Sequence, residues 1–430
     1  MEEIPGLSIP LTLYAPETAI KDIIGEKIAD TSLREEIDDS FYVVDLGKAV
    51  EQYETWMKCI PRVHPFYAMK CNHDNPLVKV LAQLGTGFEC GSKREIQTVL
   101  DCGVKPCDII YANTCKQESY VKFARQNGVS QMTFDNEDEL YKINRVYSDS
   151  RLVLRLAPDD NSALTRVSFK YGCPPANAQH LLNVAKGLGL NVVGVSFHVG
   201  SVVQNPESYA DPIRAARRVF DLATKLGFQM EILDIGGGFP GDLYAQIVPP
   251  FQKFADVINR ELEQNFAASE FPSLRIISEP GRYFAGPGYT IVLNVIARHT
   301  IDYCDDEDDD KKAPEFRYYL NDGLYGSFLN TSYKPVTLIP AFLKERNPDE
   351  PKYSSSIWGQ TCDGLDFITK SCTMNKLEVG EWVFVEALGA YSMSSCSNFN
   401  GFNTPACYYV APKHLRALLE ETFKPDELKT

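Results

Sequence analysis

Eight short apolar runs, separated by longer segments with helical periodicity, constrain the fold of this chain more than any other feature. Each run is short enough for a buried strand, and the intervening segments place apolar residues at helical spacing. The runs cover 66–71, 87–91, 109–113, 132–135, 152–156, 192–199, 230–235 and 275–278, and the helical segments include 92–100, 117–126, 137–146, 176–186, 206–225 and 250–265. Eight such units within about 215 residues predict an α/β fold with a (β/α)8 TIM-like barrel rather than an open doubly wound sheet.

The C-terminal ends of these runs carry polar side chains or consecutive glycines. In chain order they are Lys70, Glu89, Asn113, Asp135, Arg155, His198, Gly236–Gly238 and Glu279. The active sites of parallel barrels lie at this end of the strands, so the coincidence predicts a site there. Lys70 is the most informative residue, because an unpaired ammonium in a buried strand is costly. It must be paired, exposed at the rim or bound covalently.

After Tyr283 the pattern changes to strands rich in β-branched and aromatic residues, at 289–296, 316–320, 376–379, 381–386 and 407–410. A strand is also predicted at 11–14 and a short helix within 414–430. We therefore predict an N-terminal strand and helix segment (1–44) that joins the β domain, a barrel domain (45–282) and a mostly β domain (283–430). The acidic run 305–312 is interpreted as a solvated loop without a catalytic role.

The composition limits the class of ligand and the compartment. The chain has 43 Lys and Arg against 58 Asp and Glu, a net charge of −15, which argues against nucleic acid and anionic membranes and favours a small molecule. The first residues show no signal-peptide pattern, and no apolar run could span a bilayer, so we expect a cytoplasmic protein. The 12 cysteines and 6 histidines have no metal-binding spacing, which predicts reduced thiols and no metal.

Three consecutive glycines, Gly236, Gly237 and Gly238, follow the seventh run. Consecutive glycines expose backbone N–H groups and allow an anion to approach closely. The string is neither the dinucleotide fingerprint nor a P-loop, and glycines also serve tight turns. Phosphate sites in barrels commonly follow strands 7 and 8, and Arg282 after the eighth run could bind a phosphate with its guanidinium.

A lysine, a phosphate cradle, a carboxylate and a histidine at one barrel mouth together predict a pyridoxal phosphate site. Lys70 would anchor the cofactor covalently, and Glu279 would pair with the pyridine nitrogen and keep it protonated. His198 would stack on the ring, although a single histidine on an apolar strand can also be a core residue. The predicted phosphate ligands are Ser201, Gly236, Gly237, Gly238, Arg282 and Tyr391. A Ser-His-Asp triad is the competing enzyme hypothesis, but the chain has no GxSxG elbow.

Ten strings of the sequence resemble the eukaryotic ornithine decarboxylase family, a branch of the alanine-racemase-like barrel enzymes that use pyridoxal phosphate. They are PFYAMKCN, FECGSK, IIYAN, VSFHVGS, LDIGGGFPG, EPGRY, NDGLYGSF, SSSIWGQTCDGLD, GAYS and FNGF. The similarity extends over roughly residues 40 to 410 and is strongest to the animal enzymes. It implies a divergent animal paralogue that decarboxylates an amino acid in polyamine-related metabolism.

The resemblance also implies a head-to-tail homodimer with two shared sites, each completed by Cys362 and Asp363 of the other subunit. Cys362 would supply a proton to the α-carbon after carbon dioxide leaves, although a buried thiol without a role is the alternative. Lys170 and Asp366 would pair across the interface.

A supporting polar shell around Lys70 is implied as well, made of Arg155, Glu89 and Glu95. Glu89 departs slightly from the family, which usually has the shorter aspartate at this position. We expect the function to survive this change. A racemase would share the lysine and the barrel but would need a second base, usually tyrosine, and Cys362 in that place favours decarboxylation.

The substrate pocket shows the larger departure, because Lys334 stands where ornithine decarboxylases have an acidic residue that binds the distal ammonium of ornithine. Lys334 could instead neutralise Asp363 and leave a pocket lined by Tyr333, Phe399 and Tyr325. We therefore predict a neutral aliphatic substrate of the leucine or valine class, with ornithine, giving putrescine, as the alternative. Lys334 could also point to solvent and leave the specificity unchanged.

A catalytically weak regulator that binds antizyme is the remaining alternative, because some proteins that resemble this family have lost catalysis. Such regulators typically lack cofactor-binding and proton-donor residues, whereas this chain keeps them. Antizyme binding through the segment 116–142 is left open by the sequence.

Overall fold

The computed structural model describes residues 1–30, 38–301, 313–332 and 337–425. The chain forms two compact units. The barrel unit is Ala49–Ala285, and the β unit combines Met1–Lys48 with Gly286–Thr430. The barrel unit is thus inserted, in sequence, between two segments of the β unit.

The described elements are numbered in chain order. The strands are β1 Glu2–Glu3, β2 Leu11–Tyr14, β3 Phe41–Asp45, β4 Val63–Ala68, β5 Gly87–Cys90, β6 Ile109–Tyr111, β7 Gln131–Phe134, β8 Arg151–Leu156, β9 Ala163–Thr165, β10 Asn191–Phe197, β11 Ser201–Val203, β12 Ile232–Asp234, β13 Arg275–Ser278, β14 Tyr289–Ile301, β15 Glu315–Leu320, β16 Ala341–Phe342, β17 Lys352–Trp358, β18 Phe367–Asn375, β19 Trp382–Val385 and β20 Ala406–Pro412. The α-helices are α1 Ile20–Ala29, α2 Gly47–Cys59, α3 Asn75–Gln83, α4 Lys93–Asp101, α5 Glu118–Gln126, α6 Glu137–Tyr147, α7 Ala178–Gly187, α8 Ala210–Lys225, α9 Phe251–Asn265, α10 Arg282–Ala285, α11 Leu329–Ser332 and α12 Arg416–Phe423.

Eight parallel strands close the barrel, in the order β4, β5, β6, β7, β8, β10, β12 and β13, with β13 pairing back to β4. The predicted (β/α)8 barrel is therefore confirmed. Side chains from separate strands, among them Phe66, Val153 and Ile277, form one buried apolar cluster, as expected for a packed core rather than a pore. Gly87 lacks a side chain because a Cβ there would lie 2.6 Å from the Phe66 ring.

The predicted helices of the barrel are confirmed as α4 to α9, with ends shifted by one or two residues, except that 206–209 form a separate 3₁₀ helix before α8. The first predicted strand, 66–71, is wrong at its end. Strand β4 stops at Ala68, and Lys70 lies in the 3₁₀ helix Met69–Cys71. The chain turns here because the Tyr67 hydroxyl donates to the carbonyl oxygen of Asn72 at 2.7 Å. The small antiparallel sheet of β9 and β11 was not predicted.

The β unit contains a ten-stranded sheet in which β2 pairs with β20, β20 with β3, and β3 with β14. The mostly β second domain, completed by the N-terminal strand, is confirmed. The predicted strand 376–379 is wrong, because β18 ends at Asn375, and β17 was missed. Strand β17 begins with polar residues on its exposed positions, so it lacks an apolar run along its first half. Helix α12 confirms the predicted C-terminal helix, whereas the acidic run 305–312 lies outside the described residues.

Two observations concern the wider environment of the chain. Within the described ranges, no helix is long and apolar enough to cross a membrane. The eleven cysteines of the described part are all free thiols.

Candidate active site

Lys70 lies just beyond strand β4, and its ammonium forms an ion pair with the carboxylate of Glu89. Residue 89 is on the adjacent strand β5, in register with Ala68, so the barrel itself brings the two side chains together. The Glu89 side chain is 4% exposed and the Lys70 side chain 46% exposed. The lysine therefore reaches the open mouth of the barrel while a buried carboxylate balances its charge.

The glycine loop after β12 is built so that only glycine fits. A Cβ at Gly236 would lie 2.1 Å from the Phe197 carbonyl oxygen, and Gly236 has φ = 67°, where a side chain is strained. A Cβ at Gly237 would lie 2.7 Å from the Glu279 carbonyl oxygen, and one at Gly238 2.8 Å from a backbone oxygen. The Tyr209 hydroxyl donates to the Gly237 carbonyl at 2.7 Å and fixes the loop from behind. This backbone can approach an anion closely.

His198 follows strand β10 and is a neutral imidazole. Its Nδ1 accepts a hydrogen bond from the Gly200 N–H at 3.0 Å, which leaves the proton on Nε2. Burial lowers the pKa of His198 well below its usual value, and the positive charges of Arg155 and Lys70 lower it further. Nε2 faces the glycine loop, since a Cβ at Gly237 would lie 3.0 Å from it. An uncharged ring at this place can stack on a flat ligand.

Glu279 follows strand β13 and is 8% exposed. Its N–H donates to the Gly236 carbonyl at 2.8 Å, which joins the two loops. Burial raises the pKa of Glu279, and the neighbouring Glu89 raises it further, whereas Lys70 and Arg155 oppose these two effects. Glu279 is thus a buried acid with cations on one side and a second carboxylate on the other.

The remaining predicted residues of the barrel unit lie around the same loops. The Arg155 guanidinium, on β8, stands 5.4 Å from the centre of the Tyr171 ring. Ser201 begins the small strand β11. Arg282 begins α10, is 6% exposed and stands 5.0 Å from the Tyr244 ring centre.

Glu95 completes this polar region from helix α4. One of its carboxylate oxygens accepts the Gly91 N–H at 2.6 Å. Burial raises the pKa of Glu95, and the charge of Glu89 raises it further. The predicted polar shell of Arg155, Glu89 and Glu95 thus consists of three residues that share an electrostatic environment with Lys70.

In the β unit, Cys362 is exposed and its Sγ lies 3.7 Å from Asn400 Oδ1. Asp363 accepts a short hydrogen bond from the Tyr325 hydroxyl, which lowers the pKa of the carboxyl group. The Tyr325 ring packs against Phe399 with 4.5 Å between ring centres. The loop 361–363 therefore presents a thiol and a carboxylate, and each has a side-chain partner.

The other four predicted residues belong to the C-terminal part of the chain. Tyr391 lies in the β unit with φ = 56°, a left-handed conformation that is uncommon for a side chain of this size and is typical of functional or strained positions. Tyr333 and Lys334 lie outside the described residues. Asp366 is 1% exposed, and its carboxylate accepts the N–H groups of Leu324 at 2.7 Å and of residue 361 at 2.9 Å.

Comparison with known proteins identifies the family. The pyridoxal-dependent decarboxylase family, pyridoxal binding domain, matches residues 46–286. The rat ornithine decarboxylase is 44% identical over 404 residues, which covers 93% of this chain and 87% of that protein. The chain belongs to the ornithine decarboxylase family. It is a pyridoxal phosphate-dependent decarboxylase, as the sequence strings predicted.

Other members of the ornithine decarboxylase family and its structural relatives agree with this assignment. Antizyme inhibitor 2 of Xenopus laevis is also 44% identical, over 394 residues that cover 91% of this chain and 85% of that protein. The arginine decarboxylase of Paramecium bursaria Chlorella virus superposes with a TM-score of 0.83 at 32% identity, covering 91% of this chain and all of that one. The arginine decarboxylase shares the fold of this chain, while the names of these relatives state different activities.

The barrel residues fit the family's cofactor. The glycine loop cannot accept a Cβ, so an anion can approach its backbone closely, and Glu279 is a buried acid beside cations. His198 is a neutral, flat ring, and Lys70 reaches the barrel mouth. When bound, pyridoxal phosphate supplies the electron sink for the electrons that remain after carbon dioxide leaves.

Two residues that adjoin predicted site residues, one in each unit, were not singled out from the sequence. Asp234 ends strand β12 and is fully buried beside Glu279. The rule that selected the other residues, a polar side chain at the C-terminal end of a barrel strand, applies to it equally. Asn400 lies in the FNGF string, and nothing in the spacing of that string points to Cys362.

Proposed function

We propose that this member of the ornithine decarboxylase family decarboxylates an L-amino acid with an uncharged aliphatic side chain, leucine or valine in the first place. The products are the primary amine and carbon dioxide. The observation that carries the proposal is the lysine at position 334, where the family has an acid for the distal ammonium of ornithine. Support comes from Asp363, whose carboxylate already accepts the hydroxyl of Tyr325.

The charge at position 334 sets the size of the effect. An ammonium of ornithine held about 4 Å from Lys334 would meet a repulsion of roughly 4 kcal/mol at an effective dielectric constant near 20. Since each 1.4 kcal/mol corresponds to a factor of ten, the affinity for ornithine would fall by about three orders of magnitude. An aliphatic side chain of similar length has no such penalty. Tyr333, Tyr325 and Phe399 are the proposed aromatic lining for it.

The proposed roles of the other residues follow the geometry of each unit. Lys70 anchors the cofactor, Glu279 faces its ring nitrogen and His198 lies against its ring. The proposed phosphate ligands are Ser201, Gly236, Gly237, Gly238, Arg282 and Tyr391. Cys362 supplies the proton to the α-carbon, and its exposed thiol next to Asn400 is consistent with that role.

The test is carbon dioxide release from leucine, valine, ornithine, lysine and arginine, measured side by side on the wild-type protein and on Lys334→Asp. We expect leucine or valine to have the highest kcat/KM in the wild type, and ornithine to gain at least a hundredfold in the variant. The matched control is Lys344→Asp, which makes the same charge change elsewhere in the β unit. Ornithine as the best wild-type substrate would overturn the proposal.

Ornithine decarboxylation is the second candidate, favoured by the 44% identity to the rat ornithine decarboxylase. The depressed pKa of the Asp363 carboxyl also keeps one negative charge available for a distal ammonium. In that case Lys334 points away from the substrate, and Lys334→Asp leaves the specificity unchanged.

A homodimer with shared sites is part of the proposal. Two of the most exposed large apolar side chains are Phe169, 81% exposed, and Leu365, 62% exposed. They adjoin Lys170 and Asp366 in sequence, the two residues predicted at the interface. Contiguous exposed apolar patches mark contact surfaces, and each of these side chains is proposed to contribute to one.

Subunit mixing tests the shared site. Lys70→Ala and Cys362→Ala are each expected to be inactive, and their equimolar mixture should recover about a quarter of the wild-type activity, because half of the dimers are mixed and each contains one intact site. A mixture as inactive as its components, with dimers shown by sedimentation, would contradict sharing.

Antizyme binding is an additional proposal, favoured by the similarity to Xenopus antizyme inhibitor 2. The candidate segment 116–142 contains helix α5 and the first part of helix α6. Co-sedimentation with antizyme tests it. A purely regulatory protein without bound cofactor would be colourless, whereas a catalytic one should show a visible absorbance band that is lost in Lys70→Ala. A cytoplasmic location also belongs to the proposal.

A further inference from the structure

Asp234 and Glu279 form a pair of buried carboxyl groups at the C-terminal end of the barrel. Asp234 is the last residue of β12 and fully buried, and Glu279 directly follows the neighbouring strand β13. The two side chains are hydrogen-bonding neighbours. The backbone holds them together, because the Glu279 N–H donates to the carbonyl of Gly236 at 2.8 Å.

The two oxygens of Asp234 have different surroundings. Oδ1 accepts the Gly236 N–H at 2.9 Å. Oδ2 is buried and receives no hydrogen bond from a donor in the described part of the protein. Two ionised carboxylates in contact and away from water repel each other strongly, so one of them must carry a proton. A proton on Oδ2 would give this oxygen a hydrogen bond to Glu279.

The neighbouring charges decide which residue keeps the proton. Lys70, after β4, and Arg155, on β8, favour the ionised form of Glu279. For Asp234, burial, the charge of Glu279 and the more distant charge of Glu89 on β5 all raise the pKa, and only one backbone N–H opposes them. The negative charge of the pair therefore belongs on Glu279.

We propose that Asp234 keeps its proton at neutral pH and donates it to Glu279, so that the pair carries a single negative charge located on Glu279. Asp234 is then a positioning residue that holds the carboxylate of Glu279 as an acceptor for the ring nitrogen of the cofactor. This effect on the cofactor rests on the proposed role of Glu279. The proton on Asp234 does not depend on it, or on the substrate.

The first test uses infrared spectroscopy of the cofactor-free protein at pH 7. Asp234→Asn directs its carbonyl to the Gly236 N–H and its amide N–H to Glu279, and so reproduces the protonated acid. The carbonyl-stretch band of protonated carboxyl groups should lose the intensity of one group in Asp234→Asn relative to the wild type. An equal band intensity in Asp234→Asn and the wild type would overturn the proposal.

A matched control is Glu261→Gln in the same unit. Glu261 is also fully buried, but the Arg214 guanidinium donates to both of its oxygens, at 2.7 and 2.9 Å, so neither oxygen needs a proton to have a partner. The band should be unchanged in Glu261→Gln. Loss of the band in both variants would show that it reports a general change of the barrel rather than the proton on Asp234, and would contradict the proposal.

The second test is the pH dependence of urea unfolding. The folded wild type holds a proton that the unfolded chain releases near pH 4, so its stability should fall relative to Asp234→Asn as the pH rises. Between pH 5 and 7, the unfolding constant of the wild type should increase by about tenfold per pH unit relative to that of the variant. A constant ratio would contradict the proposal even if the infrared band were obscured.

The third test concerns the positioning role and uses pyridoxal phosphate itself as the probe. Asp234→Asn should bind it as the wild type does. Asp234→Ala removes the donor to Glu279 and should weaken binding by about tenfold or more, the size expected for a hydrogen bond to a charged group. Equal binding by both variants would refute the positioning role and leave the infrared and pH results to decide the proton.

Discussion

Gly237→Ala, in the glycine loop after β12, is expected to reduce both the stability of the protein and its affinity for the cofactor. The new Cβ would lie 2.7 Å from the backbone oxygen of Glu279 and 3.0 Å from His198 Nε2. A backbone atom at that distance cannot rotate away, so the two loops must separate. Overpacking of this kind costs about 1 to 3 kcal/mol. This strain raises the free energy of the folded state, so the free energy of unfolding should fall by the same amount.

The same displacement would move the backbone of the loop away from the proposed phosphate position. A loss of about 1 to 3 kcal/mol corresponds to 5- to 150-fold weaker cofactor binding. Absorbance titration of the cofactor-free protein with pyridoxal phosphate measures the affinity, and urea unfolding measures the stability. The expected outcome is a decrease in both quantities.

Gly187→Ala is the matched control, because a Cβ at Gly187 would have no atom within 4 Å. Residue 187 ends helix α7, where alanine is at least as favourable as glycine, so no loss of stability or binding is expected. Unchanged cofactor affinity in Gly237→Ala, together with reduced stability, would refute the assignment of the loop as a phosphate cradle. Two unchanged quantities would refute the packing argument.

Three further predictions concern other parts of the chain. Lys116→Met should lower the free energy of unfolding by about 3 kcal/mol, because it removes the ammonium that binds the buried carboxylate of Glu139 and two backbone oxygens. The control Lys122→Met breaks an exposed ion pair and should change the free energy of unfolding by less than about 1 kcal/mol. Asn400→Ala removes the acceptor beside the Cys362 thiol and should lower kcat more than it changes KM, measured as carbon dioxide release. Burial raises the pKa of Asp322 to about 6. The protonated carboxyl group therefore stabilises the fold fully below the pKa of the unfolded chain, near 4, and this stabilisation is lost as the pH rises through 6. Relative to Asp322→Asn, the wild type should therefore lose about 3 kcal/mol of stability between pH 4 and 7, measured by urea unfolding.

The barrel could be predicted because the sequence pattern of each strand is local and occurs eight times along the chain. Each strand is a short apolar run, and the polar side chain at its end marks the face that carries the site. Lys70 was predicted to end a strand but lies in a 3₁₀ turn, since the hydrogen bond of the Tyr67 hydroxyl to the Asn72 carbonyl joins residues across the turn. No periodicity reports such a contact. The prediction that Lys70 lies at the C-terminal end of its strand does not depend on this turn.

Contacts between distant side chains could not be predicted in the same way. The bond between Tyr325 and Asp363 and the approach of Cys362 to Asn400 each join residues that are 38 apart in the sequence. Strand β17 escaped prediction because its pairing with β15 and β18, rather than an apolar run, defines it. In each case the contacting residue or paired strand is distant in the sequence, so the contact becomes visible only in the folded structure.

The charged side chains at the barrel mouth can be counted to find which protonation states would make the region neutral. Two cations, Lys70 and Arg155, lie near four acids. The acids are Glu89, Glu95, Asp234 and Glu279. Glu89 pairs with Lys70, and Glu279 is the acid that both cations favour in its ionised form. The region would be neutral with protons on the other two acids, whose pKa values burial raises. This balance predicts that the four acids respond differently to removal of their charge.

Glu89→Gln and Glu95→Gln test this balance, because both replace a buried acid by an amide of equal shape. Glu95→Gln keeps the acceptor for the Gly91 N–H. With Glu95 protonated, as this balance requires, the variant removes no charge, so the stability of the cofactor-free protein at pH 7 should stay equal or rise. Glu89→Gln leaves Lys70 without its counter-charge. Breaking a fully buried pair costs about 3 to 5 kcal/mol, and exposure of nearly half of the Lys70 side chain reduces this to about 1 to 2 kcal/mol. If urea unfolding shows equal losses for the two variants, Glu95 is ionised and the proton count is wrong.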